Sequence, residues 1–337
     1  MKKLTQIFIL SLIIFTHLIS QQKLAQTGMK FLNVGSFAQI TGMGEAVTSV
    51  EGNSTSMFYN PAGMARITSL ADVSFGQTSW IADINHNYFT VASSLTEYNF
   101  GVIGIMGQFV DYGLIEGTIL ANNSKGYLDE SDLPGLNIKP NASMFGISYA
   151  QALSDRFSVG GNVKYVRQDL GESYVTYSST EQTKNTAALS VWAFDFGVLY
   201  KTGLKSLTFG MTLKNFSQEA KYEKESFQLP LIFKIGLSAN IADFIEVDRN
   251  VHSLLLSIDA THPRDYPEQI NLGAEYVFLK LFALRGGYMS NNDEYDYTYG
   301  AGVRQEFQGI YLAVDYSYTP FGKYFNPVHR FSFQVTY

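Results

Sequence analysis

The stretch His329-Arg330-Phe331-Ser332-Phe333-Gln334-Val335-Thr336-Tyr337 alternates without interruption. Phe331, Phe333, Val335 and Tyr337 take every second position, with Ser332, Gln334 and Thr336 between them. Side chains of a strand point alternately to its two faces, so this is a strand with one apolar and one polar face. The same pattern recurs upstream. Ile310, Leu312, Val314, Tyr316 and Tyr318 oppose Asp315 and Ser317, and Val159, Val163 and Tyr165 oppose Ser158, Asn162 and Lys164. From Thr68 onward the alternation predicts strands over 68–79, 85–95, 98–110, 141–153, 156–168, 187–200 and 205–216. The second half predicts them over 229–240, 251–262, 268–278, 281–289, 297–306, 310–319 and 329–337. That is an all-β chain of about fourteen strands, an even number as bacterial outer-membrane barrels use.

Composition agrees with such a sheet. The 337 residues carry 16% charged and 15% aromatic side chains, 29 Gly and no Cys. A mean hydropathy of −0.02 is far too low for a bundle of membrane helices and is what alternating faces average to. Without Cys there are no disulfides, thiolate metal sites or thiol nucleophiles. The formal charge of −6, with no basic block, argues against nucleic acid as a partner.

Three features favour a membrane barrel over a soluble sandwich. Alternate connections differ in length: 111–140, 169–186, 217–228, 263–267, 290–296 and 320–328 are long or polar, whereas 96–97, 154–155, 202–204, 279–280 and 307–309 are clipped. Short periplasmic turns opposite longer external loops are the barrel pattern, with both chain termini expected on the periplasmic side. All 8 prolines avoid strand interiors, as a continuous ladder demands. An Arg or Lys facing lipid at the midplane costs roughly 2–4 kcal/mol, so the phase puts charges inside. Lys164, Asp195, Lys214, Lys234, Asp259, Glu275, Arg285, Arg304 and Asp315 are therefore expected to face a water-wetted bore. They read either as mutually compensating ions or as a specific ligand site. Trp80, Tyr88, Tyr149, Trp192, Tyr200, Tyr288 and Tyr318 fall at strand ends, as interfacial girdles do.

Met1-Lys2-Lys3 followed by Ile7 to Phe15 reads as a secretory signal peptide over 1–25, cleaved between 20 and 25. The apolar run is shorter than the ~20 residues a membrane helix needs. Residues 26–67 precede the barrel of 68–337 as a separate segment.

Gly42-Met43-Gly44, Ala46, Asn53-Ser54 and Tyr59-Asn60-Pro61-Ala62, followed by Gly63, resemble the N-terminal motif of the PorV/PorQ family within the FadL-like outer-membrane barrels. The resemblance implies a plug inside a barrel, formed here by residues 26–67. The plug either fills space or moves as a gate. Gly42 and Gly44 permit positive φ or close backbone contact. Pro61 fixes its own φ and biases Asn60 toward extended conformations, making a rigid turn. Gly-Met-Gly is too short for a phosphate loop. The C-terminal strand ending in Tyr337 resembles the signal read by the barrel assembly machinery.

Residues for catalysis are scarce. His86, His252, His262 and His329 start or end strands without an assignable Ser beside them, so the chain is expected not to be an enzyme. The acidic stretches 129–132 and 291–296 lack EF-hand spacing and read as solvated loops, with no metal or cofactor expected. The resemblance implies binding of exported proteins, such as secreted C-terminal domains, with the type IX secretion system. Passage of hydrophobic small molecules and a mainly structural barrel are the alternatives. Gly101, Ile103, Ile105 and Gly107 are the expected lining of an apolar path.

Overall fold

A computed structural model describes residues 27–94, 100–177, 182–222, 225–245, 247–292, 295–323 and 325–337. The expected signal peptide, and residues 95–99 between the second and third strands, lie outside them. Fourteen antiparallel strands form a closed barrel. They are β1 (Asp72–Ser79), β2 (Asn85–Ser94), β3 (Val102–Asp111), β4 (Asn141–Ala152), β5 (Phe157–Tyr177), β6 (Gln182–Lys201) and β7 (Thr208–Ser217). The rest are β8 (Ile232–Asn240), β9 (His252–Pro263), β10 (Gln269–Phe278), β11 (Phe282–Met289), β12 (Tyr297–Phe307), β13 (Ile310–Thr319) and β14 (Val328–Thr336). Each pairs with its neighbour in sequence, and closure comes from β1 on β14, from Asp72 opposite Thr336 to Ser79 opposite His329. At one mouth the turns are tight: Gln308 and Gly309, both at positive φ, join β12 to β13 in the manner of a two-residue hairpin. The long connections gather at the other mouth.

The chain departs from the expected pattern in four places. Residues 169–186, read as a loop, continue the β5–β6 ladder to Tyr177 opposite Gln182. Their Thr, Tyr and Val content suits a strand, and register shifts at Asp169/Glu172 and Tyr174/Thr176 broke the alternation that would have revealed it. Ile103 and Ile105 are about half exposed on the outer face, whereas Val102, Gly104 and Met106 face inward. Strand β3 is apolar on both faces, so its phase was illegible; a shift of one residue exchanges the faces. Tyr88 is buried inside among Phe37, Phe58 and His86 rather than in a girdle. Trp80 packs edge-on to Phe321 at the long-loop mouth.

Outside, Phe75, Ile147, Val163, Phe196, Leu284, Val314, Phe331 and Phe333 belong to a continuous exposed apolar wall. Such a surface is far beyond what a water-facing sheet carries, and it meets the requirement of a barrel in hydrocarbon. No helix among the described residues is long and apolar enough to cross a membrane. Inside, much of the bore is occupied by the N-terminal segment. Residues 27–67 enter at the long-loop mouth, where Thr27 bridges Gln228 and bonds Asp265. They descend through short 3-10 turns and one helical turn, α1 (Ala38–Thr41), and emerge at the other mouth to begin β1. Tyr337 pairs with Ala71 at that second mouth, opposite to Thr27. The N-terminus itself lies outside the described residues.

Candidate functional site

The two plug motifs are held in close contact with the backbone of the wall. Asn60 caps the turn Pro61–Met64, its Oδ1 accepting from Ala62 N at 3.1 Å, and Pro61 takes the first position, where a missing N–H costs nothing. Its Nδ2 donates to Thr48 O at 2.6 Å and to Val198 O of β6 at 3.1 Å. A Cβ on Gly197 would fall 2.0 Å from Asn60 Oδ1, and one on Gly160 2.6 Å from Ala62 N. Gly63 donates to Asn60 O and accepts from Gly52 N. On the far side Gly42 lies against Gly300, and Gly44, at φ +61°, against Gly287. Met43 O lies where a Cβ of Gly273 would sit, at 2.6 Å. The motif residues thus fit where the wall has no side chain.

The nine expected interior charges all lie on the inward register, but their surroundings are not an aqueous lining. Lys164 pairs with Asp195 at 2.7 Å and donates to Asn215 Oδ1. Asp195 sits at a break in the β6–β7 register and also accepts from Asn162 and from Asn215 N. Asn162 in turn donates to Met57 O of the plug. Lys214 lies over the Tyr59 ring at 5.1 Å, a cation–π contact strengthened by exclusion of water. Lys234 approaches Glu45 at 3.9 Å, and Asp259 accepts from Thr48 N and Oγ1. Arg285 bridges Glu275 and Asp315 at 2.6 and 2.7 Å, and Arg304 joins Glu275. Buried charges are tolerable only when paired in this way.

Some interior residues escaped the sequence reading. Arg330, almost fully buried, donates to Gly35 O and Thr319 Oγ1. Its place opposite Phe331 and Phe333 in the last strand was a signal available beforehand. Asp72 accepts from Ser54 N, Gln334 and Thr336, tying plug, β1 and β14 together. Each histidine among the described residues has a local partner: Gln108 for His86, Tyr276 for His252, Glu268 for His262 and Tyr316 for His329. The expected acidic loop is internally tied, Lys125 pairing with Asp129 and Asp132.

The barrel holds a chamber of about 500 Å³ at the long-loop mouth, between the upper plug and the wall. Trp80 and Ile84 line it with Met29 and Phe31; Lys234, Thr261, Asn271 and Glu45 line it as well. A second space, of about 670 Å³, lies on the lipid face between Leu237, Ile258, Leu272, Tyr288 and Tyr299, over Gly273, Ala274, Gly286 and Gly287. Chamber and depression back onto the same wall. Asn271 and Met289, paired between β10 and β11, border the chamber, and the next pair, Leu272 and Tyr288, borders the depression. A polar space of about 350 Å³ opens toward the short-turn mouth beside Glu51, Glu275 and Arg304.

No protein-family model and no curated protein matches the sequence. Solved structures do. The Pseudomonas putida toluene transporter TodX superposes with a TM-score of 0.58 at 11% identity, covering 94% of this chain and 99% of that one. A Pseudomonas aeruginosa FadL homologue gives 0.55 at 12%, covering 90% and 98%. The Ralstonia pickettii toluene transporter TbuX gives 0.56 at 11%, again covering 90% and 98%. Identity this low speaks to architecture alone, and what this chain shares with those proteins is the barrel architecture.

Proposed function

We propose that this chain is a bacterial outer-membrane barrel that admits hydrophobic small molecules at its long-loop mouth and releases them sideways through the β10–β11 wall. The observation that carries this reading is the placement of chamber and lipid-facing depression on successive residue pairs of the same two strands, Asn271 and Met289 on the inside and Leu272 and Tyr288 on the outside. In this reading the long loops are external, Tyr337 is periplasmic, lipid contacts the outer wall and no enzymatic step takes part. Gly286 offers a test, because a side chain built there meets nothing within 4 Å. Gly286→Phe is expected to fill the depression without disturbing the fold and to slow uptake of a hydrophobic dye into proteoliposomes. Uptake by the wild type no faster than by protein-free vesicles would refute the proposal.

A second reading, binding of exported proteins with type IX secretion, is favoured by the N-terminal motif and by the β5–β6 hairpin. At 21 and 20 residues its strands outrun the 8 to 12 of the others, so the hairpin stands beyond the mouth. Capture of secreted C-terminal domains by the purified barrel, lost when the hairpin is trimmed to Asp169 and Thr186, is its expected signature. The C-terminal strand is the surface we assign to the barrel assembly machinery.

A further inference from the structure

The two sides of the upper chamber differ in chemistry. Trp80 and Ile84 from the β1–β2 turn, with Met29 and Phe31 from the plug, give one side an apolar, aromatic surface. The other side carries Thr261 of β9 and Asn271 of β10, both at least nine-tenths buried. Asn271 spends its Nδ2 on Gly44 O at 2.9 Å, which leaves Oδ1 as an acceptor. Among the described residues neither that oxygen nor Thr261 Oγ1 has a hydrogen-bond partner, and Asn33 Oδ1, on the plug side of the chamber, is in the same condition. Buried acceptors left empty destabilise a fold, and here three border one space.

The nearby charges are differently placed. Lys30 pairs with Asp265 at 3.3 Å and Lys234 with Glu45 at 3.9 Å. An ionic ligand would lose its hydration and find each ammonium already holding a carboxylate. What remains unmet is capacity for hydrogen-bond donors, not for charge. We propose that the chamber selects neutral amphipathic molecules, an apolar ring or chain lying against Trp80 and Ile84 and an O–H or N–H group donating to Asn271 and Thr261. This names the ligand class of the small-molecule reading and rests on it.

Trp80 reports on the chamber directly. The other tryptophan, Trp192, is exposed on the outer wall, so Trp192→Phe leaves Trp80 as the sole indole. Para-cresol, para-methylanisole and para-toluate then share one ring but present a neutral donor, a neutral group without a donor, and an anion. Para-cresol is expected to shift Trp80 emission at about tenfold lower concentration than either of the others, the upper range for one net hydrogen bond. Thr261→Val keeps the shape and touches no plug bond, and it should weaken para-cresol severalfold while leaving para-methylanisole unchanged. Asn271→Leu should do the same, but it also removes the bond to Gly44, so the Thr261 variant decides. Equal binding of cresol and methylanisole, tighter toluate, or an unchanged ratio in Thr261→Val overturns the ligand class while leaving small-molecule binding standing. Trp80 emission unmoved by all three compounds overturns both.

Discussion

Asn60→Ala separates the plug from the barrel. The side chain makes three hydrogen bonds, accepting from Ala62 N and donating to Thr48 O and Val198 O. The first is an N-cap, worth about 0.5–2 kcal/mol. Truncation also leaves buried acceptors with nothing to replace the amide, at about 1–3 kcal/mol for a group left without any partner. Val198 O retains its place in the β5–β6 ladder, so the full penalty falls on Thr48 O, and the sum is about 1.5–5 kcal/mol. None of this touches a strand-to-strand bond, so the barrel should keep its heat-modifiable migration in gels. The plug should instead open more often, by roughly 10- to 4000-fold at about 1.4 kcal/mol per decade. Amide hydrogen exchange measures that opening at Ala62, Gly63 and Ala65, whose N–H groups bond within the motif. Asn60→Asp is the control, since it keeps the cap but cannot donate to Thr48 O, and it should exchange at least as fast. Protection at Ala62 unchanged in Asn60→Ala would refute the view that this side chain fastens the plug.

Gly287→Val would place its Cβ about 2.1 Å from Gly44 N, against backbone that cannot rotate away. Overpacking of about 1–3 kcal/mol is expected, read as faster exchange at Gly44 in a barrel that still folds; wild-type protection there would contradict the close docking. Deleting Tyr337 removes the backbone pair with Ala71 at the closing seam and is expected to cut the amount of heat-modifiable barrel in the membrane fraction, whereas full recovery would deny that role. In the loop after β3, bonds from the Ser131 side chain hold the Asp129 carboxyl down at about 2, with further help from Lys125. The contribution of that carboxylate to loop order is therefore complete above the ordinary carboxylate range and is lost as pH falls through about 2. A carboxyl titration midpoint near the ordinary value would remove the basis for this.

Legibility followed phase. Where a strand has one apolar and one polar face, as in β13 and β14, the sequence fixes both its existence and its orientation, because a slip would turn a charge toward lipid. Strand β3, with Ile103 and Ile105 on one face and Val102 and Met106 on the other, offers no such penalty, and Ile103 and Ile105, expected inside, face outward. Bulges hid the upper halves of β5 and β6 by the same mechanism. At the candidate site the interior charges could be read from phase, yet their partners could not. Nothing in local sequence brings Glu45 to Lys234 or Thr48 to Asp259, positions 189 and 211 residues apart.

A polar inward face is equally compatible with a water-filled pore and with a packed interior, since a plug built of turns presents polar backbone. Glycine distinguishes them. Gly160, Gly210, Gly273, Gly287 and Gly300 all lie on the inward register, and a Cβ on each would come within 3.2 Å of plug backbone, while one on Gly197, also inward, would strike the Asn60 side chain. A pore gains nothing from glycine in a strand interior, where it weakens the ladder. A wall that must receive another backbone has to have it. These positions form two patches, one under Thr48 and Asn60–Ala62 and the other under Gly42–Gly44, and the second patch is also the floor of the lipid-facing depression. The close docking of the Gly-Met-Gly motif and the thinness of the wall beside the chamber therefore have one cause. A residue that thickened the wall there would both displace the plug and narrow the sideways route, so the two effects of Gly287→Val should appear together, while Gly286→Phe, facing the opposite side, should produce only the second.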